Sequence, residues 1–251
     1  DSMHLDDPFL VRFGRYVWDA LHGDLGTSYK LKTPVTKLIA SAFPTTMKLA
    51  VLAALFAWIV GIPIGIVSAV KKNTWIDHLF MGFSLFGVSM PVFWIGLILQ
   101  NTFKFVLPVS GFDSWKHMIL PTIVLGWSSS GTIARLTRSS LLEVMRNDYI
   151  RTARAKGLTE LLVITTHAFK NAIIPVVTVM AIQLASLLSG AVITETIFSI
   201  PGIGRLSVNA IENRDAPLLQ GTVIFTAALI IAGNLVADLL YSVIDPRIRV
   251  D

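Results

Sequence analysis

Cysteine is absent from the 251 residues, and charged side chains make up only 15% of them. The first absence excludes disulfide bonds and cysteine-ligated metals. The second sets the chain apart from soluble domains, in which about 25% of residues are charged. Because 53% of the residues are apolar, one water-soluble core could not bury them all. The composition therefore predicts a protein whose solvent is a membrane.

Two motifs of enzymes are also missing. The chain has no Gly-x4-Gly-Lys-Ser/Thr loop to cradle nucleotide phosphates and no His-Glu-x-x-His zinc pattern. Its five histidines are scattered without ligand spacing, at His4, His22, His78, His117 and His167. The glycine-rich stretch Pro201–Ser207 is interpreted as a re-entrant turn or gate. We therefore expect no catalytic site, metal or cofactor, and ATP hydrolysis would need a partner.

Five apolar segments are long enough to cross a bilayer, which takes about 20 helical residues. They are approximately Met47–Val70, Leu79–Val106, Met118–Leu136, Ala172–Phe198 and Gly221–Ile244. The third is the least hydrophobic of the five. The pattern predicts an all-α membrane protein, a polytopic helical bundle with five spans.

Lysine and arginine are distributed unevenly between the two sides of these spans. When Arg135 and Lys104, at the ends of spans three and two, are counted with the connections that follow them, eleven fall after spans one and three and in the tail, against four after spans two and four. The positive-inside rule places the eleven in the cytoplasm. Residues 1–46 then form an external segment and residues 47–251 a transmembrane domain, with a cytoplasmic loop at about 137–171 and an external loop at 198–220.

The chain begins at Asp1, on the predicted external side and without an initiator methionine. Something must carry such a segment across the membrane. We expect one further span ahead of Asp1, and a cleaved signal peptide is the alternative.

The cytoplasmic loop holds the stretch DYIRTARAKG, from Asp148 to Gly157. Good helix formers precede Gly157, which can end a helix in a left-handed conformation. A second helical run, Glu160–Asn171, follows. Composition alone leaves two interpretations open: a lipid-facing basic collar, or a docking segment.

Arg151–Gly157 (RTARAKG) and His167–Pro175 (HAFKNAIIP) resemble the cytoplasmic loop signature of ABC importer permeases. Arg151 and Thr152 stand where that signature has Glu and Ala, a departure that matches the branch importing dipeptides, oligopeptides, glutathione and nickel chelates. The same branch is similar to this chain at LDDPFLVRFGRY (5–16), GDLGTS (23–28), IFSIPGIGRL (197–206), NRDAPLLQG (213–221) and DPRIR (245–249). Between Leu99 and Pro108 the chain looks shorter than that branch usually is.

The resemblance implies a type I ABC importer permease that forms half of a peptide translocation pathway in a bacterial or archaeal plasma membrane. Nickel chelate and glutathione are alternative solutes, and an ATP-independent secondary transporter is the alternative mechanism. The implied partners are a second permease, two ATP-binding subunits, an external solute-binding protein and membrane lipid, without nucleic acid. The implied ATPase-coupling residues are Tyr149, Ile150, Arg151, Thr152, Ala153, Arg154, Gly157 and Leu158. Gly157 would be the hinge, and Tyr149, Ile150 and Leu158 would anchor the ATPase subunit.

Small and hydroxylated residues of spans three and four suggest a translocation path. Gly126, Ser129 and Ser130 share a helical stripe, and we expect Ser186 and Ser189 to face it. Close helix packing is the alternative interpretation. Of the two carboxylates within predicted spans, Glu195 is expected at the headgroup level and Asp238 in a structural role.

Overall fold

The structure is a computed structural model that describes residues 8–188 and 191–244, without the side chains of 238 and 240–244. The expectation of an all-α protein is confirmed, since these residues contain helices and no β-strand. The α-helices are α1 Phe9–Leu21, α2 Val35–Val70, α3 Trp75–Ser89, α4 Val92–Phe103, α5 Trp115–Val144, α6 Asp148–Ala155, α7 Glu160–Leu162, α8 Phe169–Leu188, α9 Val192–Ile197, α10 Ile203–Glu212 and α11 Ala216–Ile244. A π-helical segment, Val163–Ala168, joins α7 to α8.

Helix α2 is longer than the span predicted for it, because it begins at Val35 rather than Met47. Its 36 residues extend for about 54 Å, well beyond the roughly 30 Å hydrocarbon core. Pro34 occupies the N-cap position, and the first turns carry exposed polar side chains such as Thr36 and Lys37. A hydropathy pattern does not identify these first turns as part of the span, because their exposed side chains are polar.

The predicted second span is broken rather than continuous. Helices α3 and α4 meet at 102° around Met90 and Pro91. The backbone of Met90 is extended, with φ −80° and ψ 133°, because a following proline disfavours helical conformation. Helix α3 therefore crosses the bundle, and α4 turns aside to pack against α5 and α9.

Helix α5 lies at the centre of the bundle and packs against α2, α3, α4 and α8. From His117 to Arg138 each of its residues is buried or half-buried. Three helical stretches are long and apolar enough to cross a membrane, namely Val35–Val70, Glu160–Leu188 and Ala216–Ala237, and the bent α3–α4 pair would be a fourth. Helix α5 matches the third predicted span and is more polar than the other spans, since neighbouring helices shield it from lipid.

Two ends of the bundle can be distinguished by their buried clusters. The basic end is the one where Ala69, Leu141, Ile150, Val163 and Ala172 pack together. The opposite end, here called the α10 end, holds a cluster that includes Leu25, Val35, Ile203, Ala210 and Leu218. The strongly basic connection between α5 and α8 thus shares one end with the turn after α2.

Candidate functional site

Helix α6 is held against the bundle by its inner face. Ile150 is fully buried and Ala153 nearly so, in the cluster that contains Leu141 and Val163. Leu158, just beyond the helix, is half-buried against the same cluster. Ile150 and Leu158 thus link α6 to its own chain, and their expected role as anchors for a partner subunit stays a prediction. The short helix places these apolar side chains on the side that faces α5 and the π-helical segment.

The outer face of α6 is exposed and carries the basic side chains. Arg151 Nη1 lies 3.5 Å from Asp148 Oδ1, and the two side chains are 78% and 96% exposed. Arg154 forms two hydrogen bonds to Glu160, at 2.6 and 3.0 Å, and so links α6 to α7. Thr152 and Lys156 are exposed as well. The Arg154 side chain is held at 2.6 Å from Glu160 and is 37% exposed. Arg151, whose contact with Asp148 is longer and largely exposed, and Lys156 are therefore the cations of this face most available to a partner.

Gly157 ends α6 in the left-handed region, with φ +79°. Its N–H donates to the carbonyl of Arg154 at 2.9 Å. A Cβ built on Gly157 would meet nothing within 4 Å. A side chain here would therefore strain the backbone without colliding with a neighbour.

Tyr149 links α6 to the region where the π-helical segment passes into α8. Its hydroxyl accepts a hydrogen bond from Asn171 Nδ2 at 2.8 Å and donates to the carbonyl of His167 at 3.5 Å. Its side chain is partly exposed, so it can contact both this chain and a partner. π-Helical turns are rare and occur often at functional sites.

The small residues of α5 make close contacts with α2. A Cβ on Gly126 would lie 2.7 Å from the carbonyl oxygen of Ala53, and one on Gly61 would lie 2.6 Å from that of Ser130. The Ser130 hydroxyl donates within its own helix to the carbonyl of Trp127 at 2.6 Å. Gly126 and Ser130 thus lie in the α2–α5 contact.

The other predicted path residues lie elsewhere. Ser129 is half-buried on α5, and Ser186 is exposed on α8. Ser189 lies outside the described residues, as does the side chain of Asp238. The assignment of these serines and of Gly126 to a path stays a prediction.

Glu195 is fully buried within the protein, and its expected position at the headgroup level stays a prediction. It accepts hydrogen bonds from Thr46 Oγ1 at 2.7 Å and from the backbone N–H of Arg205 at 3.1 Å. Thr46 in turn accepts from the N–H of Ile203 at 2.9 Å. The carboxylate thus joins α2, α9 and the start of α10. Gly202 has no room for a Cβ, which would collide with this carboxylate.

Asp215 is a second buried carboxylate at the α10 end, and the sequence reasoning missed it. The hydroxyl of Ser28 donates to it, as do the backbone N–H groups of Tyr29 and Lys30 at 3.1 and 3.2 Å. Burial alone would raise its pKa, but these hydrogen bonds outweigh burial and hold the pKa below the usual range. Asp215 therefore fastens the loop after α1 to the corner between α10 and α11.

An ion pair was also missed near the basic end. Arg138 donates to both oxygens of Asp77, through Nε and Nη2, at 2.7 Å each. Ser68 Oγ and the N–H of Asn73 donate to the same carboxylate. The Asp77 side chain is 2% exposed and that of Arg138 is 24% exposed. The ion pair thus joins α3 to α5, and the hydrogen bond from Ser68 adds α2. Sequence alone does not indicate this pair, because the two residues meet only when the helices pack.

Comparison with known proteins identifies the family. Residues 61–250 match the model of the binding-protein-dependent transport system inner membrane component. The dipeptide transport system permease protein DppB of Escherichia coli (strain K12) is 44% identical over 282 residues, covering 99% of this chain and 83% of that protein. The glutathione transport system permease protein GsiC of Salmonella paratyphi A (strain ATCC 9150 / SARB42) is 43% identical over 251 residues, covering 99% and 82%.

The fold is similar to that of solved transporters. A chain of the MetNI methionine ABC transporter in an inward-facing crystal form aligns with a TM-score of 0.72 over 83% of this chain and 96% of that one, at 15% identity. The DppB alignment spans 282 positions against 251 residues here, whereas the GsiC alignment spans 251. These lengths do not locate a gap, so the shortness expected between Leu99 and Pro108 stays a prediction. With this match over most of its length, the chain belongs to the family of inner membrane components of binding-protein-dependent transport systems.

Proposed function

We propose that this chain is the permease subunit of an ABC importer whose solute is a dipeptide or oligopeptide. The 44% identity to a relative named as a dipeptide permease, over 99% of the chain, supports the solute class. The geometry of α6 carries the mechanism: an inner face buried in the bundle and a cationic outer face exposed beyond it.

The proposed complex contains a second permease, two ATP-binding subunits and an external binding protein. The basic end is then cytoplasmic, and the ATP-binding subunits dock there on the outer face of α6. Arg151 and Lys156 pair with acidic groups of the groove, although exposed ion pairs contribute only about 0–1 kcal/mol each. Tyr149, which is partly exposed, supplies apolar contact area to the same interface.

Movement of the ATP-binding subunits is transmitted as rigid-body motion. Because Ile150 and Ala153 pack with Leu141 of α5 and Val163 of the π-helical segment, α6 cannot shift without displacing both. Gly157 sets the angle between α6 and α7. Alternation between inward- and outward-open states follows from this lever, while the hydrolysis of ATP belongs to the partner subunits.

The translocation path is proposed along α5 and α8. Ser129 is half-buried on α5, on the helical stripe that it shares with Gly126 and Ser130, and Ser186 is exposed on α8. Hydroxyl groups offer weak hydrogen bonds that hold a peptide only briefly. A single cysteine at Ser129 should react with a water-soluble thiol reagent at a rate that depends on nucleotide. A cysteine at Ile231, which is 69% exposed on α11, should react slowly with the same reagent, because we expect this position to face lipid.

Glutathione is the second candidate solute. The specific observation in its favour is the 43% identity to a glutathione permease over 251 residues, the length of this chain. Glutathione is itself a short peptide, so both candidates place the same demands on the path. Nickel chelate stays a third possibility from the resemblance alone.

Reconstitution with the ATP-binding subunits and the loaded binding protein tests the proposal. We expect ATP-dependent uptake of a dipeptide into proteoliposomes. Arg151→Glu with Lys156→Glu should abolish co-purification of the ATP-binding subunits, whereas Lys104→Glu with Lys116→Glu, exposed cations at the end of α4 and the start of α5, should not. Uptake by the permease alone, driven by an ion gradient, would instead establish a secondary transporter.

A further inference from the structure

A cavity of about 260 Å³ opens at the α10 end between α2 and α10. Apolar residues form part of its wall, but four side chains bring polar groups to it: Ser41, Thr45, Arg205 and Asn209. This volume can hold a small charged group and one short side chain, but not a whole oligopeptide.

Among the described residues that line this cavity, Arg205 is the only charged one. Its Nη1 donates to the carbonyl of Ser199 at 2.5 Å, and Ser199 adopts a left-handed backbone with φ +55°. That contact fixes the guanidinium without neutralising it, and within residues 8–188 and 191–244 no carboxylate pairs with it. The carboxylate of Glu195 lies close in space, since it accepts from the backbone N–H of Arg205, but Thr46 and backbone N–H groups occupy its oxygens.

Two further donors in the cavity have no partner among the described residues. They are the Thr45 hydroxyl of α2, which is half-buried, and the Asn209 side-chain amide of α10, one turn beyond Arg205. A guanidinium, an amide and a hydroxyl are all donors that a planar anion with two acceptor oxygens would satisfy together. The chemistry of the wall therefore selects a carboxylate.

We propose that this cavity is an entry subsite for the C-terminal carboxylate of the peptide solute, an inference that rests on the proposed function. The peptide arrives at the α10 end, where Arg205 replaces the water around its carboxylate. Thr45 and Asn209 orient the group, and the peptide then leaves because the subsite holds only one of its ends. An acidic side chain of the binding protein could offer the same carboxylate, so the experiment separates these sources.

The test uses the complete importer in proteoliposomes, with dialanine and its C-terminal amide delivered on binding protein at equal occupancy. Arg205→Gln should lower dialanine uptake about ten- to hundredfold, the value of a charge-assisted hydrogen bond, and Arg205→Lys should restore much of it. Asn209→Asp should also lower uptake, because its carboxylate would neutralise Arg205 in place. Uptake of the amide should change little in each variant. Arg214→Gln, exposed at the other end of α10, is the matched control.

Three outcomes would overturn the subsite. One is equal dialanine uptake by wild type and Arg205→Gln. Another is an equal fall for dialanine and its amide, accompanied by weaker binding of solute-free binding protein, which would make Arg205 a protein-docking residue. The third is a wild-type importer that takes up neither compound, which would remove the proposed peptide function and this inference with it.

Discussion

At the scale of single residues, buried charge is confined to places where helices must be joined. Asp77 receives four hydrogen bonds from side chains and backbone, including both from Arg138. We expect Asp77→Asn to lower the free energy of unfolding by about 3–5 kcal/mol, because Arg138 would lose its counter-ion. The thermal midpoint in detergent measures this, with Glu143→Gln, exposed on α5, as control. Equal midpoints for both variants would contradict the role of the pair.

Asp215 makes a prediction about pH. Its pKa is lower in the folded chain than in the unfolded one, so its contribution is fully present above the unfolded value and is lost as the pH falls through the folded value. Amide hydrogen exchange at Tyr29 and Lys30, corrected for intrinsic rates, should therefore accelerate once the pH falls below the pKa of an ordinary aspartate. Asp215→Asn should show faster exchange already at neutral pH. Protection in the variant that matches wild type would refute the anchoring role.

At the scale of elements, the approach of α2 to α5 depends on glycine. A Cβ on Gly61 would lie 2.6 Å from the Ser130 carbonyl and 3.0 Å from Ile133 Cβ. Since neither helix can yield locally, we expect Gly61→Ala to destabilise by about 1–3 kcal/mol. Gly82→Ala in α3 has open space around it and should be neutral or slightly stabilising. A comparison of their thermal midpoints tests the close contact, which equal effects would disprove.

The junction of α6 and α7 depends on Gly157 for a different reason. Its positive φ penalises any β-branched side chain, although space is available. Gly157→Val should leave membrane insertion intact, reduce transport severalfold and loosen the control of ATP hydrolysis. Gly157→Asn is the matched control, because asparagine tolerates this conformation. Transport and ATPase rates that are unchanged in Gly157→Val would remove the hinge role.

At the scale of the whole molecule, the two ends differ in charge and in how they are held. The basic end presents α6, and the α10 end is fastened through Glu195 and Asp215. We expect a protease-cleavable tag near Thr159 to be protected in intact cells, and a tag after Asn213 to be cleaved from outside. Digestion with and without permeabilisation measures both. The reverse pattern would invert the orientation.

The amino-acid sequence determined the membrane environment, the all-α class and the approximate spans. Each depends on local composition, which a 20-residue window captures. It also located α6 and Gly157, since helix propensity and glycine conformation act within a few residues. Hydropathy missed the start of α2 and the bend at Pro91, although the proline offered a signal.

Only the tertiary structure decided which partner each polar group has. Glu195 meets Thr46 across 149 positions of the chain, and Asp77 meets Arg138 across 61. No local pattern predicts such pairings, because they follow from how helices pack. The same reason explains Ile150, whose apolar side chain could have faced a partner as well as its own bundle. Burial against Leu141 and Val163 is a property of the folded helices, and it makes Ile150 a link between α6 and the rest of the chain.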